Sequence, residues 1–324
     1  TATPTRPAAN DPTPTQPDPT ATPTPTEPRV IRYAVASFGE ENLDPTQTSI
    51  SSSVGVLGPL WDWMTLLQPD GSLAPGLALS WEQAADGMSW TFEMRQGVKF
   101  HNGDELTAED VRFTYMEAYP REEANASRKG QFAAGITDVE VVSTYTARII
   151  TANPWPTLPY DISNQPGIEG VILPKNYVDT EGWEHFGRNP VGTGPWKFVA
   201  HETGNFIEYE AFEDYWGGAP EYDQLRMLVV PELSTRSAML RRDEVDIADI
   251  SLDQAGTLKD AGFTVAEDPQ RTSLRVHLYG TYYGEPGYDG EGYTDPGPTK
   301  HLAVRKALNL AINRQEIVDA LFEG

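Results

Sequence analysis

The sequence predicts an α/β protein, and three stretches carry that expectation. Trp90, Phe92 and Met94 alternate with Ser89, Thr91, Glu93 and Arg95, the period-2 signature of a half-buried strand. Thr107 stands three residues before Asp110, a capping-box-like start for a helix carrying Val111, Tyr115 and Tyr119 at i, i+4 and i+8. Near the end of the chain, Val304, Ala307, Leu308, Ala311 and Ile312 fall on one apolar helical stripe.

Taken in order, residues 1–28 hold 9 Pro and 9 Thr and no Leu, Ile, Phe, Trp or Tyr. Nothing there can build a core, and repeated Thr-Pro favours an extended spacer of roughly 90 Å at about 3.1 Å per residue. Folded sequence begins with the alternating strand Val30–Val35. Phe38-Gly39-Glu40-Glu41 and Leu43-Asp44-Pro45 follow. Residues 54–67, with Trp61 and Trp63, read as an apolar helix whose tryptophans belong to the core. Leu79 and Trp81 mark a strand paired with the Trp90 strand through an Asp86-Gly87 turn. Asn102-Gly103 makes a second turn, and Pro120 closes the Thr107 helix.

Strands are expected at 139–142 and 145–150, before a segment broken by Pro154, Pro156 and Pro159. A helix starts near Val171–Tyr177, with Pro174 at a tolerated early position. Gly192 and Gly194 flank Thr193 in a tight turn. Strands at 196–199, 206–211 and 225–230 come next, then a helix over 231–242 and a strand at 245–248. Leu274, Val276 and Leu278 alternate as one more strand. The loop after it carries Glu285, Asp289, Glu291 and Asp295. It lacks the EF-hand spacing and terminal Glu, so a solvated insertion is preferred to a calcium site. Asn313 caps a last helix, with Glu316 at the third position.

Composition excludes several classes. The 324 residues can bury a sizeable core. A net charge of −24, from 48 acids against 24 bases, argues against nucleic-acid binding, which needs clustered Lys and Arg. The absence of cysteine removes disulfides, thiolate metal sites and cysteine nucleophiles. No run approaches membrane-spanning length. The five histidines, His101, His185, His201, His277 and His301, lack ligand spacing, and no nucleophile elbow, zinc-helix motif or phosphate-binding loop is present. No metal or cofactor is expected.

Three stretches go beyond an α/β pattern. The first runs Leu77-Ala78-Leu79-Ser80-Trp81-Glu82, Asp86-Gly87, Trp90-Thr91-Phe92, Arg95-Gln96-Gly97-Val98-Lys99-Phe100-His101-Asn102-Gly103 and Leu106-Thr107-Ala108-Glu109-Asp110-Val111. The second is Asn189-Pro190-Val191-Gly192-Thr193-Gly194-Pro195-Trp196, with Asp214-Tyr215-Trp216-Gly217-Gly218-Ala219-Pro220 after it. The third is Val304-Arg305-Lys306-Ala307-Leu308 with Ala311-Ile312-Asn313-Arg314-Gln315-Glu316-Ile317. Together they resemble the family 5 extracellular solute-binding proteins, the peptide- and nickel-binding components of ABC importers. One departure is Asp243, where the family usually has Gly before the Glu-Val-Asp-Ile-Ala run. Asp tolerates a left-handed backbone better than most residues.

The resemblance implies a type II periplasmic-binding-protein-like fold, two-lobed, with an inserted subdomain and an incomplete second lobe. Residues 1–29 would be a Thr/Pro-rich disordered linker, 30–70 and 190–272 lobe one, 71–189 the inserted subdomain, and 273–324 the start of lobe two. It implies capture of a di- or oligopeptide outside the membrane by a monomer that delivers it to an ABC permease. A nickel chelate or another small solute is the alternative within the family. A secreted hydrolase with a Thr/Pro linker is the alternative from another class. Position in the fold makes Phe38, Gly39, Glu40, Thr193, Ile250, Ser251 and Tyr279 the ligand-binding candidates. The place implied is the periplasmic or extracellular face of the membrane, with lipid anchoring through an upstream Cys outside this chain. With no apolar residue to dock the tail, deletion of residues 1–28 is expected to leave the melting temperature unchanged, which thermal unfolding of the two forms checks.

Overall fold

Branched and aromatic residues alternate through most of the segments that form strands. The computed structural model describes residues 27–39, 41–48, 55, 57–126, 129–164, 167–266 and 297–321. In chain order the elements are β1 (Val30–Val35), β2 (Thr65–Leu67), β3 (Leu73–Pro75), β4 (Ala78–Gln83), β5 (Ser89–Met94), α1 (Ala108–Phe113), α2 (Lys129–Gly135), β6 (Ile136–Ser143) and β7 (Thr146–Thr151). Then come α3 (Leu158–Asp161), α4 (Lys175–Glu181), α5 (Trp183–Phe186), β8 (Trp196–Glu202), β9 (Phe206–Ala211) and β10 (Gln224–Val229). The last are α6 (Leu233–Arg241), β11 (Ile247–Ala248), α7 (Leu252–Asp260), α8 (Leu302–Ala311) and α9 (Arg314–Leu321). The chain divides into two compact units, Thr1–Pro231 with Met239–Ile247, and Glu232–Ala238 with Ala248–Gly324.

The first unit holds two cores. A five-stranded sheet runs in the order β11-β1-β10-β9-β8. β1 pairs in parallel with β10, Val30 opposite Gln224 through Val35 opposite Val229, although most of the chain lies between them. A four-stranded antiparallel sheet, β4-β5-β7-β6, lies wholly within residues 71–189. Its inner face presents Phe92, Met94, Val139, Ala147 and Ile149, all buried under the Val111, Tyr115 and Tyr119 face of the α1 segment. Its outer face pairs Arg148 with Glu140 (2.9 Å) and Thr146 with Glu93 (2.9 Å). That is the in–out alternation a one-sided sheet requires.

The β4–β5 hairpin forms as predicted. Gly87 takes φ +74, and the Asp86 carboxylate accepts the Met88 N–H at 2.9 Å. Leu79 sits at a bulge in β4 and stays exposed. Trp90 is partly buried against the core and donates Nε1–H to Trp155 O (2.9 Å). The predicted capping box is present at α1: the Asp110 carboxylate accepts the Thr107 N–H at 2.9 Å. The helix then widens into a π-helical turn over Thr114–Ala118.

Two predicted elements differ. Residues 54–67 do not run as one helix. Gly58–Leu60 is a 3-10 turn, Trp61 is extended, Trp63 bridges Val171, and Thr65 opens β2. Gly58-Pro59 cannot continue a helix, and the Trp63 bridge to Val171 with the β2–β3 pairing holds the following residues extended. The second helix starts at Lys175 instead of Val171, with Pro174 as its N-cap and Val171–Leu173 buried before it.

In the second unit, Arg236 Nε donates to Asp249 O (2.8 Å) and Ser237 Oγ to Gln254 Oε1 (2.6 Å). α7 had no counterpart in the sequence prediction. α8 and α9 form as expected, and the Asn313 side chain accepts the Glu316 N–H (3.2 Å). Leu308 and Ile312 of the α8 stripe, and Leu302 and Leu310 beside it, are exposed. The tail 1–26, the strand at 274–278, the acidic loop and the expected start of lobe two near 273 lie outside the described residues.

Asp243 ends α6 with φ +55, and Glu244 N–H returns to Met239 O at 3.0 Å. Among the described residues it alone, apart from glycines, has positive φ. A side chain there costs about 1–2 kcal/mol for most residues and less for Asp. Asp243→Ala is therefore expected to lower unfolding free energy by about 1 kcal/mol, and Asp243→Gly to leave it within about 0.5 kcal/mol. Urea unfolding of the two variants checks this.

Candidate functional site

Three groups of residues gather the motifs and the predicted ligand candidates. The first is a joint between the five-stranded and the four-stranded sheets of the first unit. The turn at Gly192-Thr193-Gly194 lies on the backbone of residues 59–61, with Gly194 N–H donating to Leu60 O at 2.9 Å. A Cβ on Gly192 would stand 2.0 Å from Leu60 O, and one on Gly194 would stand 2.5 Å from Pro59 O. These glycines are required by close approach of backbone to backbone, and neither has positive φ.

His101, from the turn after β5, closes the joint. Gly192 N–H donates to its Nδ1 (3.2 Å), so the proton sits on Nε2, which donates to Gly194 O (3.0 Å). Phe212 packs edge-on against the ring, centroids 5.1 Å apart. Only the neutral ring fits this pattern, since protonation would set one N–H against another. Burial, helped by the Lys197 charge, pulls the imidazole pKa down to about 4.

Asp62 is the joint's second anchor. Its carboxylate accepts Tyr215 O–H (2.9 Å) and Trp216 Nε1–H (2.8 Å), and its N–H donates to Thr193 Oγ1 (3.3 Å). Arg95 stacks on Trp216 with its guanidinium carbon 4.1 Å from the ring centroid. Burial raises the Asp62 pKa, opposed by hydrogen bonds from Trp216, Tyr215 and Thr193 and by the Arg95 charge. Nearby, Lys99 Nζ meets Asp214 Oδ2 at 2.7 Å. The Arg95–Gly103, Asn189–Trp196 and Asp214–Pro220 motifs therefore converge on one polar knot.

The second group is the stretch after β1. Phe38 is buried in the core and Gly39 is exposed with φ +73, its N–H donating to Ser37 Oγ (3.0 Å). Asp44 is buried; it accepts Thr46 N–H (2.9 Å) and pairs with Arg121, which lies 3.6 Å over Trp183. Thr46 O accepts Asn125 N–H (2.8 Å) and Ala126 N–H (2.9 Å). The third group is in the second unit, where Ser251 stands at the N-cap of α7, and Ile250 precedes it, half-buried. The Ser251 Oγ makes no hydrogen bond with the described residues.

Of the seven candidates, Phe38 and Gly39 are thus neighbours in one loop, Thr193 is buried (1 % exposed) in the joint, and Ile250 and Ser251 lie in the other unit. Glu40 and Tyr279 lie outside the described residues. Asp62, Glu41 and Arg121 were not singled out from the sequence. A lone acid between two tryptophans at 61 and 63 was the available signal for Asp62, since burial on both sides demands partners. Among the described residues no group of three or more His, Cys, Asp or Glu is placed to hold a metal, and no helix is long and apolar enough to cross a membrane.

A family model described as bacterial extracellular solute-binding proteins, family 5 middle, matches residues 72–324. The chain is 31% identical over 274 residues to heme-binding protein A of Haemophilus influenzae, covering 78% of this chain and 47% of that protein. It is 28% identical over 271 residues to the dipeptide-binding protein of Escherichia coli, covering 77% and 48%. Among solved structures, NikZ from Campylobacter jejuni in complex with Ni(L-His) aligns at 25% identity and TM-score 0.69, covering 91% of this chain and 55% of that one. The chain spans about half the length of the curated relatives it matches.

The His101 geometry generates a pH test. The folded-state pKa of about 4 lies below the ordinary 6.5, so the unfolded chain binds more protons between those values. The stability due to the neutral ring is complete above about pH 6.5 and is lost as pH falls toward 4, by about 3 kcal/mol at most. His101→Asn is expected to be less stable at pH 7 and to lose less on acidification than the parent. Urea unfolding of both at pH 7 and pH 4.5 reads the difference.

Proposed function

Because the chain belongs to the bacterial extracellular solute-binding proteins of family 5, we propose that it captures a di- or oligopeptide outside the membrane and delivers it to an ABC permease. The observation that carries this is the family match over residues 72–324, together with the likeness to the E. coli dipeptide-binding protein. The family is one of binding proteins and not of enzymes, so a secreted hydrolase is set aside. A nickel chelate is the second candidate, favoured by the likeness to NikZ along most of the chain.

The proposed organisation is lobe one at 30–70 and 190–272, an inserted subdomain at 71–189 and lobe two from about 273. The five-stranded sheet and the separate four-stranded sheet support the first two of these. The proposed ligand-binding residues are Phe38, Gly39, Glu40, Thr193, Ile250, Ser251 and Tyr279. Gly39 and Ser251 would offer backbone and hydroxyl groups, and the buried Phe38 and Thr193 would fix the backbone beside them. The protein would work as a monomer on the outer face of the membrane, tethered by the Thr/Pro segment through a lipid-bearing Cys upstream.

A binder is stabilised by its ligand and leaves it intact. With a tryptic peptide mixture at about 100 times the dissociation constant, stabilisation of about 2.7 kcal/mol is expected. Thermal unfolding reads the shift, and mass spectrometry of the mixture afterwards shows whether peptides survive. A shift with nickel–histidine and none with peptides would select the second candidate. Cleaved peptides would refute binding without turnover.

A further inference from the structure

We infer that Glu41 is a positioning residue, a carboxylate clasp that holds the loop after β1 against the β8–β9 hairpin in the conformation that meets ligand; this rests on the solute-binding function proposed above. Both Glu41 carboxylate oxygens accept the Gly204 N–H, at 3.0 and 2.9 Å. His201 Nε2 lies 2.8 Å from Oε2. Gly204 is at the hairpin tip with φ +70, and His201 is on β8. Both acidic and imidazole side chains are largely shielded, at 18% and 14% exposure. A carboxylate that shielded from water strengthens its hydrogen bonds and resists their loss.

The rest of the loop explains why the clasp matters. Its start is fixed by β1 and the buried Phe38, and its end by the Asp44–Arg121 pair. Gly39 N–H donates to Ser37, and Asn42 donates to Gln47 and accepts the Asp44 N–H, all within residues 37–47. Glu41 reaches out of the stretch to another element at its middle, about 160 residues away in the chain. The exposed Gly39, with its left-handed backbone, is two residues from that anchor. Removing the anchor leaves a glycine-containing segment free to sample other conformations. Apparent affinity then falls by the fraction of time the binding conformation is populated.

The test uses the full 324-residue chain, its E41A and E41Q variants, and tri-alanine as probe. Hydrogen exchange by mass spectrometry on the ligand-free proteins should show exchange over residues 36–44 about tenfold faster in E41A, with residues 95–103 and 189–196 unchanged. Tri-alanine should bind E41A about tenfold more weakly. E41Q, which keeps an acceptor for Gly204 N–H, should fall between. A side chain that merely stabilised the fold would speed exchange at the joint as well. Unchanged exchange at 36–44 in E41A overturns the clasp, and so does faster exchange with undiminished affinity. If the parent protein fails to bind tri-alanine and shifts with nickel–histidine instead, the peptide proposal falls. The same exchange comparison and nickel–histidine affinities then decide the clasp.

Discussion

Two sheets in one unit can be joined by side chains or by backbone, and here the joint is backbone on backbone. Gly192 and Gly194 lie so near the chain at residues 59–61 that a methyl group at either would overlap a carbonyl. Everything around the turn must respect that distance. The ring that bridges the two glycines must accept on one side and donate on the other, which a neutral imidazole does and a charged one does not. His101 therefore works as a shaped hydrogen-bonding piece, with its ordinary acid–base chemistry suppressed by burial. Asp62 does the converse. It keeps a carboxylate in a shielded place by collecting donors from Tyr215 and Trp216, the condition under which a buried acid is tolerated.

The Asp44–Arg121 pair extends the same logic to the loop after β1. Asp44 lies in that loop and Arg121 follows the π-helical turn, so the pair ties the loop to the four-stranded subdomain. Trp183 covers the guanidinium face, and Ala118 O takes another of its donors. A buried pair with these extra partners contributes modestly when whole, yet removing one member strands a charge and costs several-fold more. Such an arrangement favours one placement of the loop over near alternatives. Thr46, whose carbonyl takes two N–H groups from residues 125 and 126, reinforces the same placement through backbone.

How far the sequence foretold this structure depended on whether the signal was local. The hairpin of β4 and β5, the Thr107–Asp110 box, the α8 stripe and the Asn313 cap were legible, because period, turn chemistry and capping act within a few residues. The left-handed backbone at Asp243 was legible from the resemblance, since Asp stands where the family usually has Gly. The 54–67 segment was misread because a short apolar run fits helix and strand equally. The break at Gly58-Pro59, the Trp63 bridge to Val171 and the pairing of β2 with β3 decided for extended chain. The parallel pairing of β1 with β10 and the clasp from Glu41 to Gly204 were not legible. Both depend on partners far along the chain, and no periodicity encodes a meeting that tertiary folding creates. The burial of Thr193 in the joint was not legible either, because the chain that encloses it, around Leu60 and Asp62, lies far away in sequence.

Two of the three stretches that carry the family resemblance meet at the joint. This follows from how tightly each position is constrained. A glycine pressed on a carbonyl, a histidine with both ring nitrogens engaged and an acid with two fixed donors each admit few substitutes, whatever the ligand. An exposed loop residue such as Gly39 meets constraint chiefly from its backbone and from whatever binds there. Such positions tie a sequence to its fold without naming a ligand. That is why a chain can match a family across residues 72–324 while the relatives it matches are named for a heme, a dipeptide and a nickel complex. The joint is a requirement of the fold, and a shared fold does not by itself fix the ligand.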